Sequence, residues 1–206
     1  MDKEYEIEVL LGAGSDTGDA LGMTQYSGVE LKVDERELVK ILYQELGAHL
    51  RPYPVFSSKT IDGKPLFLYA LEGTLSSVKI PEHIERIYQI QNKGFHTISR
   101  EELEDRISTF LDLVPRTQEP SKKLGADFRV DAIRAQWESI FGTVPKIHFS
   151  ILTLRVVCAS GTYMRSLAGR IGESLHTKAL ALSIKRTKIG KYAPLWKGFG
   201  FWLYSY

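Results

Sequence analysis

Four segments of the chain have the hydrophobic pattern of β-strands. Residues 5–11 alternate polar and apolar side chains with a period of two, and residues 149–158 do so most clearly. Residues 82–91 and 184–192 are also expected to be extended. Because successive side chains of a strand point to opposite faces, this pattern is typical of strands that are half buried in a sheet.

Apolar residues at helical spacing separate these strands. The predicted helices cover about residues 35–46, 99–114, 128–141 and 160–175, with a second short helix between the last of them and residue 184. Asp34 is the expected N-cap of the first helix, and Ser99 with Glu102 forms a capping box at the second. The glycine-rich residues 12–22 and the turn-rich residues 51–63 predict loops.

Length and composition fit this set of elements. With 206 residues, 43% hydrophobic and 25% charged, the chain is expected to form one globular α/β domain or slightly more. Its single cysteine, Cys158, excludes a disulfide framework and favours a reducing compartment. Neither a secretory signal nor an apolar run of membrane-spanning length is present, so we expect a cytoplasmic protein that does not engage a membrane.

The net charge of +2 is unevenly distributed along the chain. Residues 142–206 carry ten basic residues and a single acid, Glu173, whereas residues 1–141 are net acidic. A basic segment of this kind is either a binding surface for a polyanion such as nucleic acid or an ordinary solvated surface. Charge alone does not choose between these interpretations.

The segment LRVVCASGTYMRSL, residues 154–167, carries the most specific candidate chemistry. It is predicted to run from a strand through a turn into a helix, which places Arg165 in the first helical turn. A cation is unfavourable there, so an anion is expected nearby, either a phosphate or a carboxylate from elsewhere in the fold. The alternative is an exposed arginine lying along the surface. Tyr163 offers a ring face and a hydroxyl, or is partly buried packing.

Several motifs resemble those of one family. CASGTYMRSL resembles the Cys-Ser-x-Gly-Thr-Tyr-Ile-Arg-Ser-Leu motif of the tRNA pseudouridine-55 synthases of the TruB type. KEYEIEVLLGAGSDTGDALG resembles the family's Lys-x-Tyr strand and acidic loop, and FSSKTIDGKPLFLYALEG and IKRTKIGKY resemble two further segments in the same order. The resemblance implies the pseudouridine-synthase catalytic fold, which is mixed α/β (α+β) with a mostly antiparallel sheet flanked by helices.

The resemblance also implies an activity and a set of site residues. Such enzymes flip the T-loop uridine out of the tRNA, break its C–N glycosidic bond and rejoin the uracil through C5, without a cofactor. By this resemblance Tyr5 stacks on the flipped uracil, Tyr163 lines its pocket, and Arg165 pairs with the catalytic aspartate. Ile184 packs against the base. The basic residues that follow it on the same strand and are expected to meet phosphate are Lys185, Arg186 and Lys188.

The same resemblance suggests a domain organisation and a partner. Residues 1–194 are expected to form a partial catalytic domain, in which residues 95–146 are a candidate insertion. Residues 195–206 are an aromatic tail that either covers the core or is an atypical chain end, and no C-terminal RNA-binding domain is expected. We expect a bacterial monomer that binds the T-stem-loop of tRNA and requires neither a cofactor nor a metal.

One departure from the family pattern concerns the nucleophile. The catalytic aspartate of these enzymes lies in a Gly-x-Leu-Asp-Pro stretch upstream of the Lys-x-Tyr strand, and residues 1–206 contain no such stretch. Asp16 and Asp19 match acidic positions of the family's own loop and are expected to cap that loop. We therefore expect a chain truncated at its N-terminus, with little activity by itself. The alternatives are a non-catalytic tRNA-binding or chaperone-like protein and a gene fragment without a stable fold.

Overall fold

The structure is a computed structural model that describes residues 1–27, 33–115, 129–143 and 148–206. The strands are β1 (Asp2–Leu11), β2 (Ala13–Ser15), β3 (Thr24–Tyr26), β4 (Gly47–Pro52), β5 (Thr60–Ile61), β6 (Lys64–Pro65), β7 (Glu82–Ser99), β8 (His148–Cys158), β9 (Ala179–Trp196) and β10 (Phe199–Ser205). The helices are α1 (Glu35–Gln44), α2 (Leu66–Leu71), α3 (Arg100–Asp112), α4 (Val130–Thr143) and α5 (Met164–Ser174). Within these ranges, no helix is both long enough and apolar enough to span a membrane.

Six strands form one sheet in the order β10-β9-β1-β8-β7-β4. Its strand pairs are all antiparallel, and β1 lies between β8 and β9 along its whole length. A parallel contact is recorded at the isolated bridge between Asp19 and Ala181. The expected mixed α+β class with a mostly antiparallel sheet is therefore confirmed.

Helices cover both faces of this sheet and bury two cores. The first core lies under α1 and α5 and includes Ile7 of β1 and Leu154 of β8. The second core lies under α3 and α4 and includes Leu10 of β1 and Ile151 of β8. Alternation along each strand sends its side chains to one core or the other. The two cores consequently share the same central strands.

The helix starts follow the chemistry expected from the sequence. The Asp34 carboxylate accepts the backbone N–H groups of Arg36 and Glu37 at the start of α1. The Ser99 hydroxyl likewise accepts the N–H of Glu102 at the start of α3, at 3.1 Å. These bonds satisfy amides that have no partner within the helix. Both predicted N-caps are confirmed.

The prediction of a second short helix after α5 is wrong. In this fully described stretch, residues 175–178 form a turn and β9 begins at Ala179. Ala179 and Ala181 enter the first core, whereas Leu180 and Leu182 enter the second. A strand buried on both faces has a continuous apolar run, which the sequence pattern does not distinguish from a buried helix.

Two other segments extend further than the pattern predicts. The strand expected at residues 82–91 continues to Ser99, and the aromatic residues 195–206 form the end of β9 and the edge strand β10. The candidate insertion at residues 95–146 contributes α3 and α4 to the second core, and part of it lies outside the described residues.

Candidate active site

A cavity of about 750 Å³ opens beside the first half of β9. Its wall is formed by the loop of residues 17–21, by α2, by the end of α3 and by β9. The apolar lining residues include Ala20, Leu21, Phe56, Phe67, Phe110, Val114, Leu182 and Ile184, and the charged ones are Asp19, Arg129 and Arg165. A mostly apolar cavity of this size with a few convergent polar groups is typical of a small-ligand site.

Arg165 is held at the cavity wall by three polar contacts. Its Nη1 donates to the Asp19 carboxylate at 3.2 Å and to the carbonyl oxygen of Thr17 at 3.1 Å. Its Nη2 donates to the carbonyl oxygen of Phe56 at 2.9 Å. The anion expected beside this arginine is therefore present as a carboxylate. It compensates a cation in the first turn of α5, where the helix dipole opposes one.

Gly18 allows the acidic loop to approach the start of α5. Its φ is +78°, and a Cβ at this position would lie 3.2 Å from both the Cβ and the carbonyl oxygen of Arg165. The Gly18 carbonyl accepts the N–H of Ala181 at 2.9 Å, which joins the loop to β9. Glycine is favoured here because a side chain would be strained by the positive φ and would press on the backbone of Arg165.

Asp16 and Asp19 cap this loop, as the sequence predicts. The Asp19 carboxylate accepts the N–H of Leu21 at 3.0 Å and the hydroxyl of Thr17 at 2.8 Å. The Asp16 carboxylate accepts the N–H of Met23 at 2.8 Å. Asp19 thus has two roles: it holds the loop, and it binds Arg165. The sequence indicates only the first of these.

Tyr163 is the N-cap residue of α5 and lies in an aromatic cluster. Its ring meets those of Tyr53 and His83 edge-on, with centroid distances of 6.2 and 5.7 Å. Burial raises the pKa of Tyr163. Its backbone N–H donates to the buried carboxylate of Glu85 at 3.1 Å, and Glu85 also binds Arg170 further along α5 at 3.2 Å.

Tyr5 and Ile184 lie on the sheet face that carries the first core. Ile184 pairs with Ile7 of β1, and Tyr5 pairs with Arg186. Residues that pair across antiparallel strands project to the same face. Ile184 is 40% exposed and lines the cavity, whereas Tyr5 is partly buried against the first core and burial raises its pKa.

The structure therefore brings some of the expected site residues together and leaves others apart. Arg165 and Ile184 line one cavity, and Tyr5 and Tyr163 are not part of its wall. Residues 1–109 match the sequence profile described as TruB family pseudouridylate synthase (N terminal domain), which is slightly more than half of the chain. The chain belongs to this family.

Curated proteins similar to this member of the TruB family carry consistent names. The tRNA pseudouridine synthase B of Deinococcus radiodurans is 27% identical over 191 residues, which cover 93% of this chain and 55% of the relative. The tRNA pseudouridine synthase 4 of Saccharomyces cerevisiae is 25% identical over 213 residues and covers 89% of this chain, with 51% of its own length aligned. The chain spans about half the length of the curated relatives it matches.

A similar solved structure is a chain from a Cbf5-Nop10-Gar1 complex. It aligns with a TM-score of 0.42 at 14% sequence identity, covering 90% of this chain and 30% of that chain.

The three basic residues after Ile184 in this TruB-family chain do not share one sheet face. Across β1, Lys185 pairs with Glu6, Arg186 with Tyr5, and Lys188 with Glu4. A β-bulge leaves Thr187 as an extra residue between the last two pairs. Arg186 therefore lies on the face of Tyr5, and Lys185 and Lys188 lie on the opposite face.

Lys188 also has an acidic neighbour within the fold. Its Nζ is 3.7 Å from the carboxylate of Glu4, which is only 3% exposed and also binds Arg155. Burial opposes ionisation of Glu4, but hydrogen bonds from Arg155 and Thr187 and the charge of Lys188 outweigh it and lower the pKa of Glu4. Lys188 is thus partly neutralised before any phosphate approaches.

Two site residues were missed by sequence reasoning. Ser57 lines the cavity and is 5% exposed. Its hydroxyl is enclosed by protein atoms and lies beside the phenol of Tyr163, so Ser57 connects the aromatic cluster to the cavity wall. Glu85 holds the start of α5 from the neighbouring strand β7. The FSSK motif contains Ser57 and could have indicated it, whereas Glu85 lies in no motif that resembles the family.

Proposed function

We propose that this protein is a tRNA pseudouridine synthase that isomerises the T-loop uridine at position 55. The observation that carries the proposal is the apolar cavity whose wall holds the Arg165 and Asp19 ion pair beside Ile184. An enzyme acting on a base must take it out of the stack, and a cavity of about 750 Å³ can receive one nucleotide. The names of the relatives support tRNA as the substrate.

In this proposal each site residue has a defined task. Ile184 packs against the flipped uracil, and the buried Ser57 supports the cavity wall beside Tyr163. Tyr163 and Tyr5 provide aromatic surface beside the cavity, where stacking is worth about 1 to 3 kcal/mol per base. The neutral form of both phenols is favoured because burial raises their pKa values.

Arg165 has the central electrostatic task. Family members use an aspartate in a Gly-x-Leu-Asp-Pro stretch as the nucleophile, and Arg165 matches the arginine that keeps it ionised by charge pairing. Asp19 and two carbonyl oxygens fix the guanidinium at the cavity wall before the base arrives. The isomerisation breaks the C1′–N1 bond and forms a C1′–C5 bond within one nucleotide. C5 loses its hydrogen as a proton and N1 gains a proton, so there is no net oxidation and no cofactor is needed.

The remaining expectations belong to the same proposal. The partner is the T-stem-loop of tRNA, approached by the basic segment of residues 142–206, with Arg186 on the face of Tyr5. The protein acts in the cytoplasm as a monomer. Lys185 and Lys188 face away from Tyr5 and do not contact the flipped base. Their charges add to the long-range electrostatic attraction of RNA.

Binding of an unmodified T-stem-loop hairpin tests the proposal directly. We expect this chain to bind the hairpin at least about 10-fold more tightly than the same stem with a scrambled loop, measured by fluorescence anisotropy. Ile184→Asp should remove this preference, because it places a second acid at the cavity wall. The matched control is Ile84→Asp, because Ile84 is an exposed isoleucine on β7.

Catalysis is measured with a form of the protein that also carries the family's aspartate motif. Tritium release from C5 of uridine in unmodified tRNA should map to the T loop alone. Equal affinity for native and scrambled loops would overturn the assignment of the substrate. Loop-selective, salt-sensitive binding without tritium release from that longer form would favour a non-catalytic tRNA-binding protein instead.

A further inference from the structure

The hairpin of residues 190–206, formed by the end of β9 and by β10, exposes an aromatic strip. The rings of Trp196 and Phe199 stack with centroids 4.6 Å apart and an interplanar angle of 15°. Phe201 is two residues further along β10, so its side chain projects to the same face as that of Phe199. The exposed fractions of the three side chains are 65%, 46% and 50%. We call Trp196, Phe199 and Phe201 the aromatic strip.

The hairpin is held firmly against the rest of the fold. At its turn, the carbonyl oxygen of Gly198 accepts a hydrogen bond from the Gln89 side chain at 3.3 Å, and Lys197 Nζ lies 4.1 Å from the centre of the Tyr43 ring. On the other face of β10, Trp202 packs edge-on against the buried Tyr192 at 5.4 Å. The strip is therefore displayed on a hairpin that several contacts attach to the rest of the fold, which reduces the entropy cost of binding.

The charge around the aromatic strip identifies the kind of partner. Residues 174–206 contain no aspartate or glutamate. The lysines and arginine of this stretch are Lys178, Lys185, Arg186, Lys188, Lys191 and Lys197. Lys191 is exposed and pairs with Tyr204 within the hairpin. Lys188 is paired with Glu4, whereas Lys191 forms no ion pair within the described residues. Exposed ring faces beside such positive charge are the combination that binds single-stranded nucleic acid, through base stacking and phosphate attraction.

We propose that the aromatic strip is a second RNA contact, which stacks on unpaired bases of the substrate outside the T loop. The stacked pair of Trp196 and Phe199 offers one outer ring face to a base, and Phe201 offers the next along β10. Lys191 lies where it can meet the accompanying phosphates. The inference takes RNA as the partner from the proposed function, and variants of the aromatic strip, which leave the T-loop cavity intact, test it separately.

A labelled oligouridylate of about eight nucleotides tests this contact in the whole chain, by fluorescence anisotropy. Trp196→Leu with Phe199→Leu retains apolar side chains but removes the ring faces. We expect this double variant to lose about 10-fold or more in affinity for the oligonucleotide. Lys191→Ala should lower the dependence of log Kd on log salt by about 0.7, the release expected for one phosphate contact with a single strand.

Phe95→Leu is the matched control, because Phe95 is 43% exposed on β7 and lies outside the hairpin. It should leave oligouridylate affinity unchanged. The leucine double variant should keep full affinity and loop preference for a T-stem-loop hairpin without single-stranded extensions, which separates this contact from the cavity. Circular dichroism establishes that the variants are folded, and Trp196→Phe should retain binding if a leucine variant does not fold.

Two results would overturn the inference. One is equal oligouridylate affinity in the parent chain and the folded leucine variant. The other is a dimer of the parent chain in analytical ultracentrifugation that becomes a monomer when Trp196 and Phe199 are both changed to Asp. That result would identify the strip as an interface between two copies of the chain.

Discussion

Arg165 lies in the first turn of α5, where the N–H groups of the helix already create positive potential. The acidic loop compensates this charge through the Asp19 carboxylate and the Thr17 carbonyl oxygen, and the carbonyl oxygen of Phe56 accepts from the other guanidinium nitrogen. The guanidinium is about one quarter exposed, so it can still interact with a ligand in the cavity. Its position is fixed by residues that are far apart in the sequence.

Replacing Arg165 should affect chemistry more than binding. In a form of the protein that carries the aspartate motif, we expect Arg165→Ala to lower kcat about 100-fold or more, since it removes charge stabilisation in a partly buried site. The affinity for the T-stem-loop should change less than about 3-fold, because the cavity wall remains. Single-turnover tritium release and anisotropy separate the two effects. Parallel losses in both, with Arg165→Lys no better, would indicate a purely structural role.

Cys158 provides a residue-scale test of burial. It is fully buried in the first core, and burial raises the pKa of its thiol to about 12. A raised native pKa means that the thiol stabilises the fold below its unfolded pKa, and this contribution is lost as the pH rises toward 12. At pH about 8 the native thiol should therefore react with a disulfide reagent only through unfolding. Native and urea-unfolded chains reacting equally fast would contradict the burial of Cys158.

The packing of α5 against the start of β9 depends on a close approach of the two backbones. A Cβ on Gly172 would lie 2.5 Å from the Cβ of Ala179 and 2.7 Å from its backbone nitrogen. A Cβ on Gly169, one turn earlier in the same helix, would meet nothing within 4 Å. The two glycines therefore differ in packing although both are helical. This difference separates steric effects from helix propensity.

Alanine substitutions at these two glycines should have opposite effects on stability. Gly172→Ala is expected to lower the free energy of unfolding by about 1 to 3 kcal/mol, because it overpacks the contact with Ala179. Gly169→Ala should raise it by up to about 1 kcal/mol, because alanine has the higher helix propensity. Urea unfolding followed by circular dichroism measures both. Destabilisation by both substitutions to the same extent would show that the close contact is not formed.

Glu85 links β7 to the start and to the middle of α5. Its carboxylate accepts the N–H of Tyr163 and binds Arg170, and its side chain is 3% exposed. Glu85→Ala should lower the free energy of unfolding by about 1 to 3 kcal/mol, because it leaves the Tyr163 N–H without its acceptor, while Arg170 keeps its bonds to Glu45. The control Glu104→Ala changes an exposed residue of α3 and should cost less than about 0.5 kcal/mol. Equal unfolding midpoints for the two variants would remove Glu85 from the support of α5.

At the scale of elements, the sequence predicts what depends on local chemistry and misses what depends on pairing. The caps at Asp34 and Ser99 are readable because they need only a few neighbouring residues. The strand that begins at Ala179 cannot be read from local sequence in this way, because its apolar run is explained only by the two cores on opposite faces of the sheet. The bulge at Thr187 also leaves no local signal, yet it decides that Lys188 faces Glu4.

The candidate site shows the same division over the whole molecule. Motifs predict that Arg165 and Ile184 matter, and the structure places both in one cavity wall. The pairing of Arg165 with Asp19, the proximity of Ser57 to Tyr163 and the support from Glu85 all join residues separated by many positions along the chain. Such contacts follow from topology rather than from any local pattern, so the sequence alone does not predict them.

The two cores should unfold together, since both are built on the same strands of one sheet. Ile7 and Leu10 of β1 enter different cores, and β8 and β9 contribute to both in the same way. Losing either core would expose the opposite face of shared strands, and this coupling favours an all-or-none transition.

Leu167→Ala in the first core and Ile133→Ala in the second should each lower the free energy of unfolding by about 2 to 5 kcal/mol. In both variants, circular dichroism and the fluorescence of Trp137 should report the same unfolding midpoint. Trp137 is buried in the second core, and its fluorescence is measured in a background that carries Trp196→Phe and Trp202→Phe. If Leu167→Ala shifted the circular dichroism midpoint but not that of Trp137, the second core would be an independent folding unit.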